Sequence, residues 1–197
     1  MKHLLLSFCV ILFFSCRIST EHKKEENTYR ILSLLIEEFA KPTIPPREMY
    51  GLKPFTEVQI DSILNQDKKI CLFPIQKRTH QKFSKKEKFD KEFNELVNKL
   101  KDLEDSREVD LSKIKINRPY QLSIIDTVAM KRDRRYVEKN FDKLINFSRI
   151  SFNQGYTKAV IIVGVNMGPL NGYASLVFLE KIDNIWQIKG TDTFSIS

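Results

Sequence analysis

Nucleophiles and metal ligands are scarce in this chain. It holds three cysteines, Cys9, Cys16 and Cys71, and three histidines, His3, His22 and His80. A metal site needs several such groups converging, and neither His22 nor His80 sits in a ligand-like spacing, so neither a metal nor another cofactor is expected. No G-x-S-x-G occurs, Ser151 and Ser175 read as solvent-face positions on strands, and nothing in the sequence brings His80 to Asp126 as a base and its orienting acid. Long apolar runs are missing too. The longest, Leu4 to Phe14, is interrupted at Ser7 and falls well short of the roughly 20 residues that a spanning helix requires.

That short run follows Lys2, which gives the start of the chain the charge and length of a secretory signal peptide. It ends in Phe13-Phe14-Ser15-Cys16, which resembles the lipobox of bacterial lipoproteins, with Phe13 where leucine is commoner. The resemblance implies cleavage before Cys16, lipidation of that residue, and a protein attached to the outer membrane or cell surface without spanning it. Several acyl chains hold a protein firmly, since each buried CH₂ contributes about 0.8 kcal/mol. The organisation expected is a signal peptide over 1–15, a lipidated Cys16 with a polar flexible tether over 16–27, and one domain over 28–197. Within the tether, Lys24-Glu25-Glu26 resembles the lysine-plus-acidic surface-export signal of some Bacteroidota-type lipoproteins, although it lies farther from the cysteine than is usual. Cys71 is left as the one free thiol, which excludes an intramolecular disulfide and, inside KICLFPI, reads as buried and inert.

The formal charge is +8 and the sequence pI about 9.3. In an exported chain this balance does not point to nucleic acid; an acidic protein, an acidic polysaccharide or anionic lipid fits better. The densest basic stretch contains Lys77, Arg78, Lys82, Lys85, Lys86, Lys88 and Lys91, readable either as a solvated helix face or as a binding patch.

Ile31, Leu32, Leu35, Ile36 and Phe39 form one helical stripe, so a helix is expected over 29–40, ended by the prolines that begin at Pro42. Thr56 with Gln59 opens a short capped helix to about residue 66, and a brief strand fits 70–75. Ser84 with Glu87 offers another capping box before Phe89, Phe93, Leu96, Leu100 and Leu103, predicting a helix over 85–104.

Five of the six glycines lie at or beyond Gly155, among β-branched residues that read as four strands: FSRISFN, KAVIIVGVNM, YASLVFLEKI and IWQIKGTDTFSIS. Asp183-Asn184 suits a two-residue hairpin turn. The turn would set Lys181 opposite Trp186, Leu179 opposite Ile188 and Val177 opposite Gly190, while Met167 opposite Tyr173 would align the preceding pair. One face then gathers Ile161, Val163, Val165, Val177, Leu179 and Trp186, with Trp186 expected against Phe89, Phe93 or Leu96 of the long helix. These last 50 or so residues resemble the C-terminal module of a group of uncharacterised Bacteroidota-type lipoproteins. Members often carry a cysteine on each side of the turn where this chain has Met167 and Asn171, so whatever that pair does in relatives is not implied here. The connection itself, with Asn166, Gly168, Pro169, Asn171 and Gly172, reads as a tight hairpin or as a contact loop.

The fold expected is α+β: N-terminal helices on a C-terminal four-stranded antiparallel meander, as in a cystatin-like roll. The function expected is a non-enzymatic, lipid-anchored binding module of the cell envelope. The alternative is a small envelope hydrolase working on the concave face of the sheet.

Overall fold

The computed structural model describes residues 2–42, 44, 51, 53–79, 81, 83–84, 87–103 and 105–196, with side chains from Thr20 onward. Its longest helix, α1 (Lys2–Phe39), carries the expected stripe, with Ile31, Leu32, Leu35 and Ile36 at most 1% exposed. The polar stretch 17–27 is not a loose tether but the continuation of α1. Its charged residues find partners far along the chain, Glu21 at Arg107 and Glu25 at Lys113, and Asn27 and Thr28 are buried. Local composition carries no sign of these distant contacts.

Thr56 caps α2 (Glu57–Leu64) through the reciprocal bonds of the capping box, with Gln59 N donating to Thr56 Oγ1 at 3.3 Å and Thr56 N to Gln59 Oε1 at 3.0 Å. The second box does not open its helix. Helix α3 (Lys91–Leu100) starts later, where Asp90 Oδ1 accepts from Phe93 N at 2.9 Å, and it ends short of the expected Glu104. Two further short helices are α4 (Thr127–Arg132) and α5 (Tyr136–Asn140); both lie in a region with no expected element.

The strands are β1 (Lys68–Leu72), β2 (Ile75–Gln76), β3 (Arg107–Glu108), β4 (Tyr120–Ile124), β5 (Lys143–Phe147), β6 (Ser151–Phe152), β7 (Lys158–Gly168), β8 (Asn171–Ile182) and β9 (Ile185–Ile196). Seven of them form one mixed sheet in the order β4-β1-β5-β7-β8-β9, with β6 also on β7, while β2 and β3 form a separate antiparallel pair. The molecule is thus α+β. The expected meander is matched in part, by β7-β8-β9: its expected first strand, 147–153, is divided between the end of β5 and the two-residue β6, and the sheet is larger, with β5 on β7 and β1 parallel between β5 and β4. Strands β5 and β6 share β7 across a break, where Ser148 Oγ accepts the Ile162 N–H at 2.9 Å and so keeps the ladder satisfied.

Both faces are covered, which is the departure from a cystatin-like roll. Helix α1 seals Ile145, Phe147, Ile161, Val163, Val177 and Leu179 on one face. On the other, α3 seals Val160, Leu176 and Phe178, and α4 and α5 lie over Cys71 and Leu144. Burial on both sides is why β7 reads as a nearly continuous apolar run rather than an alternating one. Trp186 is buried, as expected, but in the α1 cluster beside Phe152, with ring centroids 6.1 Å apart; Phe93 and Leu96 are on the opposite face.

The β8–β9 hairpin has the expected turn. Asp183 and Asn184 both take positive φ, 48° and 62°, and Lys181, Glu180 and Leu179 face Trp186, Gln187 and Ile188. A bulge beyond Leu179 then puts Phe178, rather than Val177, opposite Gly190. Across β7–β8 the pairing differs by two residues from expectation: Val165 faces Tyr173, Val163 faces Ser175 and Ile161 faces Val177. A two-residue displacement preserves side-chain parity, so the predicted apolar face survives the altered register.

Candidate functional site

An open groove of about 930 Å³ runs along α1, lined among others by His22, Glu25, Tyr29, Lys113, Asn117 and Trp186. It is bounded by a strap, residues 110–117, that α1 fastens through side chains four residues apart. Lys113 Nζ donates to Glu25 Oε1 at 2.8 Å, Asp110 N to Tyr29 Oη at 3.0 Å, Lys115 N to Ser33 Oγ at 2.9 Å, and Asn117 N to Glu37 Oε1. A step of four residues keeps Glu25, Tyr29, Ser33 and Glu37 on one helix face, adjacent to the apolar stripe. Apolar periodicity does not register this polar row, and without the strap it reads as ordinary helix surface.

Several charges of the groove are paired. The hydrogen bond from Lys113 holds Glu25 below the usual carboxylate range, with burial opposing it, and the same bond raises Lys113. Arg30 pairs with Glu26 at 3.0 Å, and Lys113 also lies 3.6 Å from Asp110 Oδ2. At the end of the groove, Asn27 Oδ1 accepts from both Trp186 Nε1 and Lys181 Nζ, and Lys181 sits 4.9 Å above the Trp186 ring centroid. Burial lowers the Lys181 pKa, with Arg30 and Lys23 adding to the effect. Elsewhere on the groove, the Ser112 hydroxyl donates to Asp110 Oδ1 at 2.6 Å.

The remaining candidates for chemistry have structural partners. Cys71 is fully buried, its Sγ donates to Lys143 O at 3.4 Å, and burial pushes its thiol up to about 12. Ser175 Oγ shares a hydrogen bond with Thr193 Oγ1 at 2.8 Å inside the β8–β9 pair. Asp126 caps α4 through Val128 N and Ala129 N, and His80 lies outside the described residues. Among the described residues no cluster of His, Cys, Asp or Glu could hold a metal.

Four residues of the basic segment, Lys77, Arg78, Lys88 and Lys91, are described. Lys77 is exposed with its Nζ 3.7 Å from the Phe73 ring centroid, Lys88 lies 5.8 Å from the Phe89 ring, and Lys91 reaches Glu95 at 3.9 Å. Arg78 is exposed, and Lys82, Lys85 and Lys86 lie outside the described residues. At the other expected site, Pro169 and Leu170 alone form the turn, with Gly168 opposite Asn171 and the Asn166 side chain accepting from Gly168 N at 3.1 Å. Neither Gly168 nor Gly172 takes a positive φ, so the turn does not use the freedom for which glycine was expected there. Leu170 is 87% exposed at its tip, and Cys16 lies within α1 where only the backbone is described.

Among the described residues no helix is long and apolar enough to cross a membrane. No protein-family model matches the chain, and neither does any curated protein or solved structure.

Proposed function

We propose that this chain is a lipid-anchored cell-envelope protein that works as a binding module rather than an enzyme. The observation that carries the binding role is the α1 groove, where Glu25, Glu26, Arg30 and Lys113 are held in ion pairs and Ser33 holds the strap by a hydrogen bond. Groups held in this way have fixed charge and geometry, which favours recognition over proton transfer. The FFSC sequence at Phe13 to Cys16 supports the anchor. The basic balance of the chain favours an acidic protein, an acidic polysaccharide or anionic lipid as the partner.

The test combines two labels in cells. Labelled fatty acid should enter the wild-type chain and not Cys16→Ala, and equal labelling of both would remove the anchor. A photo-cross-linking residue in place of Asn117, in the groove, should capture an envelope component that the same residue in place of Lys99 does not. Equal capture at both positions would remove the groove as the binding site.

A further inference from the structure

We propose that the end of the domain around Glu21, Arg107 and Tyr156 rests on an anionic lipid surface, leaving the Pro169-Leu170 turn at the opposite end displayed toward partners. This orientation rests on the anchor at Cys16 proposed above.

The geometry follows from α1, which runs unbroken through Cys16 and Glu21 to Phe39. At 1.5 Å per residue, Cys16 precedes Glu21 by only about 8 Å of helix. Glu21 is not free to swing, because it pairs with Arg107 of β3. An anchor at Cys16 therefore holds this end of the domain close to the headgroups. The other end of α1 lies about 35 Å from Cys16, on the same rise. There Phe39 meets Tyr173, with centroids 6.4 Å apart, next to the β7–β8 turn. The helix thus spans the domain from the anchored end to the Leu170 tip.

The chemistry of the near end suits anionic headgroups. Arg149 lies within electrostatic reach of Arg107, Asp105 and Glu21, and Tyr156 within reach of Glu21. With Lys23 and Lys24 on the adjoining turn of α1, this end gathers Arg107, Arg149, Lys23 and Lys24 about Glu21 and Asp105, while the neighbouring Glu25 and Glu26 are paired with Lys113 and Arg30. Arg149 is 8% exposed and its Nε has no acceptor among the described residues; Gln76, opposite Arg107 on β2, is 2% exposed with its Nε2 equally without one. Unpartnered N–H donors of Arg149 and Gln76 thus lie beneath this surface. Headgroup phosphates supply acceptors and negative charge, and each basic residue near such a surface contributes about 1 kcal/mol. Aromatic rings complete the face. Tyr156 is half-exposed in a turn at φ 56°, lies 5.3 Å from the Phe152 ring and has Lys23 Nζ 5.5 Å from its centroid. Aromatic side chains of this kind settle at the headgroup level.

The test uses the full chain purified with its lipid and reconstituted in vesicles, carrying an environment-sensitive fluorophore at Gln154→Cys beside Tyr156 or at Leu170→Cys. Buried Cys71 stays unlabelled in the folded protein. In phosphatidylglycerol-rich vesicles the Gln154→Cys label should shift to the blue relative to detergent, less so at high salt or in phosphatidylcholine vesicles, and the Leu170→Cys label should not shift. Intact mass of the same sample reports acylation at Cys16. An acylated protein in which neither label shifts, or in which Leu170→Cys shifts instead, overturns the orientation while leaving the anchor standing. A protein without acyl mass overturns both.

Discussion

Asn27, on the helix that packs against the sheet, accepts the indole N–H of Trp186 at 3.0 Å, 159 residues away in sequence. The same oxygen accepts from Lys181, while Asn27 Nδ2 donates to Lys23 O at 2.7 Å. One side chain therefore satisfies a buried indole, takes part of the charge of a partly buried lysine and fastens α1 to the β8–β9 hairpin. Asn27→Leu keeps the volume and removes the acceptor. The buried indole N–H would then lack a partner, at a cost of about 1–3 kcal/mol. Urea denaturation of the two proteins measures it, and a loss under about 0.5 kcal/mol would mean that water replaces the amide.

The two-faced arrangement of the core is tested by a double-mutant cycle. Trp186 and Phe93 are both buried but belong to separate clusters on opposite sides of the sheet. Each replacement by Ala should cost about 3–5 kcal/mol. Residues without shared partners add to within about 0.5 kcal/mol, whereas the Trp186-on-Phe93 contact expected from sequence would give a coupling well above that. Variants of intermediate size, Trp186→Leu and Phe93→Leu, serve if the double alanine protein does not fold.

How much of this was legible depends on whether the determinant is local. The Asp183-Asn184 turn and the Thr56 cap were readable because a few adjacent residues fix them. The faces of β7 and β8 were readable because alternation survives a register shift of two, but the register itself was not, since it depends on a turn closing at Pro169-Leu170 rather than over a longer loop. Strands β4 and β5 were missed. Their place is set by parallel pairing with β1, between segments far apart in sequence, and YQLSI and KLINF carry no flanking hairpin signal. For the same reason the candidate groove was invisible: Glu25 and Glu37 look like ordinary surface charge until residues 110–117 lie against them.

Lys143 gives a prediction for pH. It is 8% exposed, and its Nζ donates to Phe39 O at 2.9 Å and Lys41 O at 2.6 Å, binding carbonyls at the end of α1. Burial, with Lys68 nearby, lowers its pKa below the ordinary 10.5. The unfolded chain therefore holds this proton more tightly than the folded one, so folding is penalised at low pH and the penalty lifts as pH rises through the lowered value toward 10.5. A neutral amine keeps two N–H donors for the two carbonyls. Relative to Lys143→Met, the wild-type protein should gain stability with rising alkaline pH up to that value; parallel stability curves would show that the ammonium is not desolvated.

The last prediction concerns Gly190, where the ring of Phe89 lies over the strand. A Cβ added at Gly190 would meet Phe89 Cζ at 2.9 Å, and Phe89 has little room to withdraw, because it stacks on Phe178 with centroids 3.6 Å apart. Phe178 is itself the cross-strand partner of Gly190, so the ring covers the gap left by the missing side chain. Gly190→Ala should push Phe89 off this stack and cost about 1–3 kcal/mol, the usual penalty of overpacking, even though alanine suits a strand better than glycine. Gly155→Ala, where the nearest atoms lie at 3.8 Å, is the neutral control. In a Phe89→Ala background the added methyl meets no ring, and Gly190→Ala should then be neutral or slightly stabilising. Chemical denaturation of the four proteins of this cycle measures the coupling, and an equal cost of Gly190→Ala with and without the Phe89 ring would show that backbone strain, not the ring, requires glycine there.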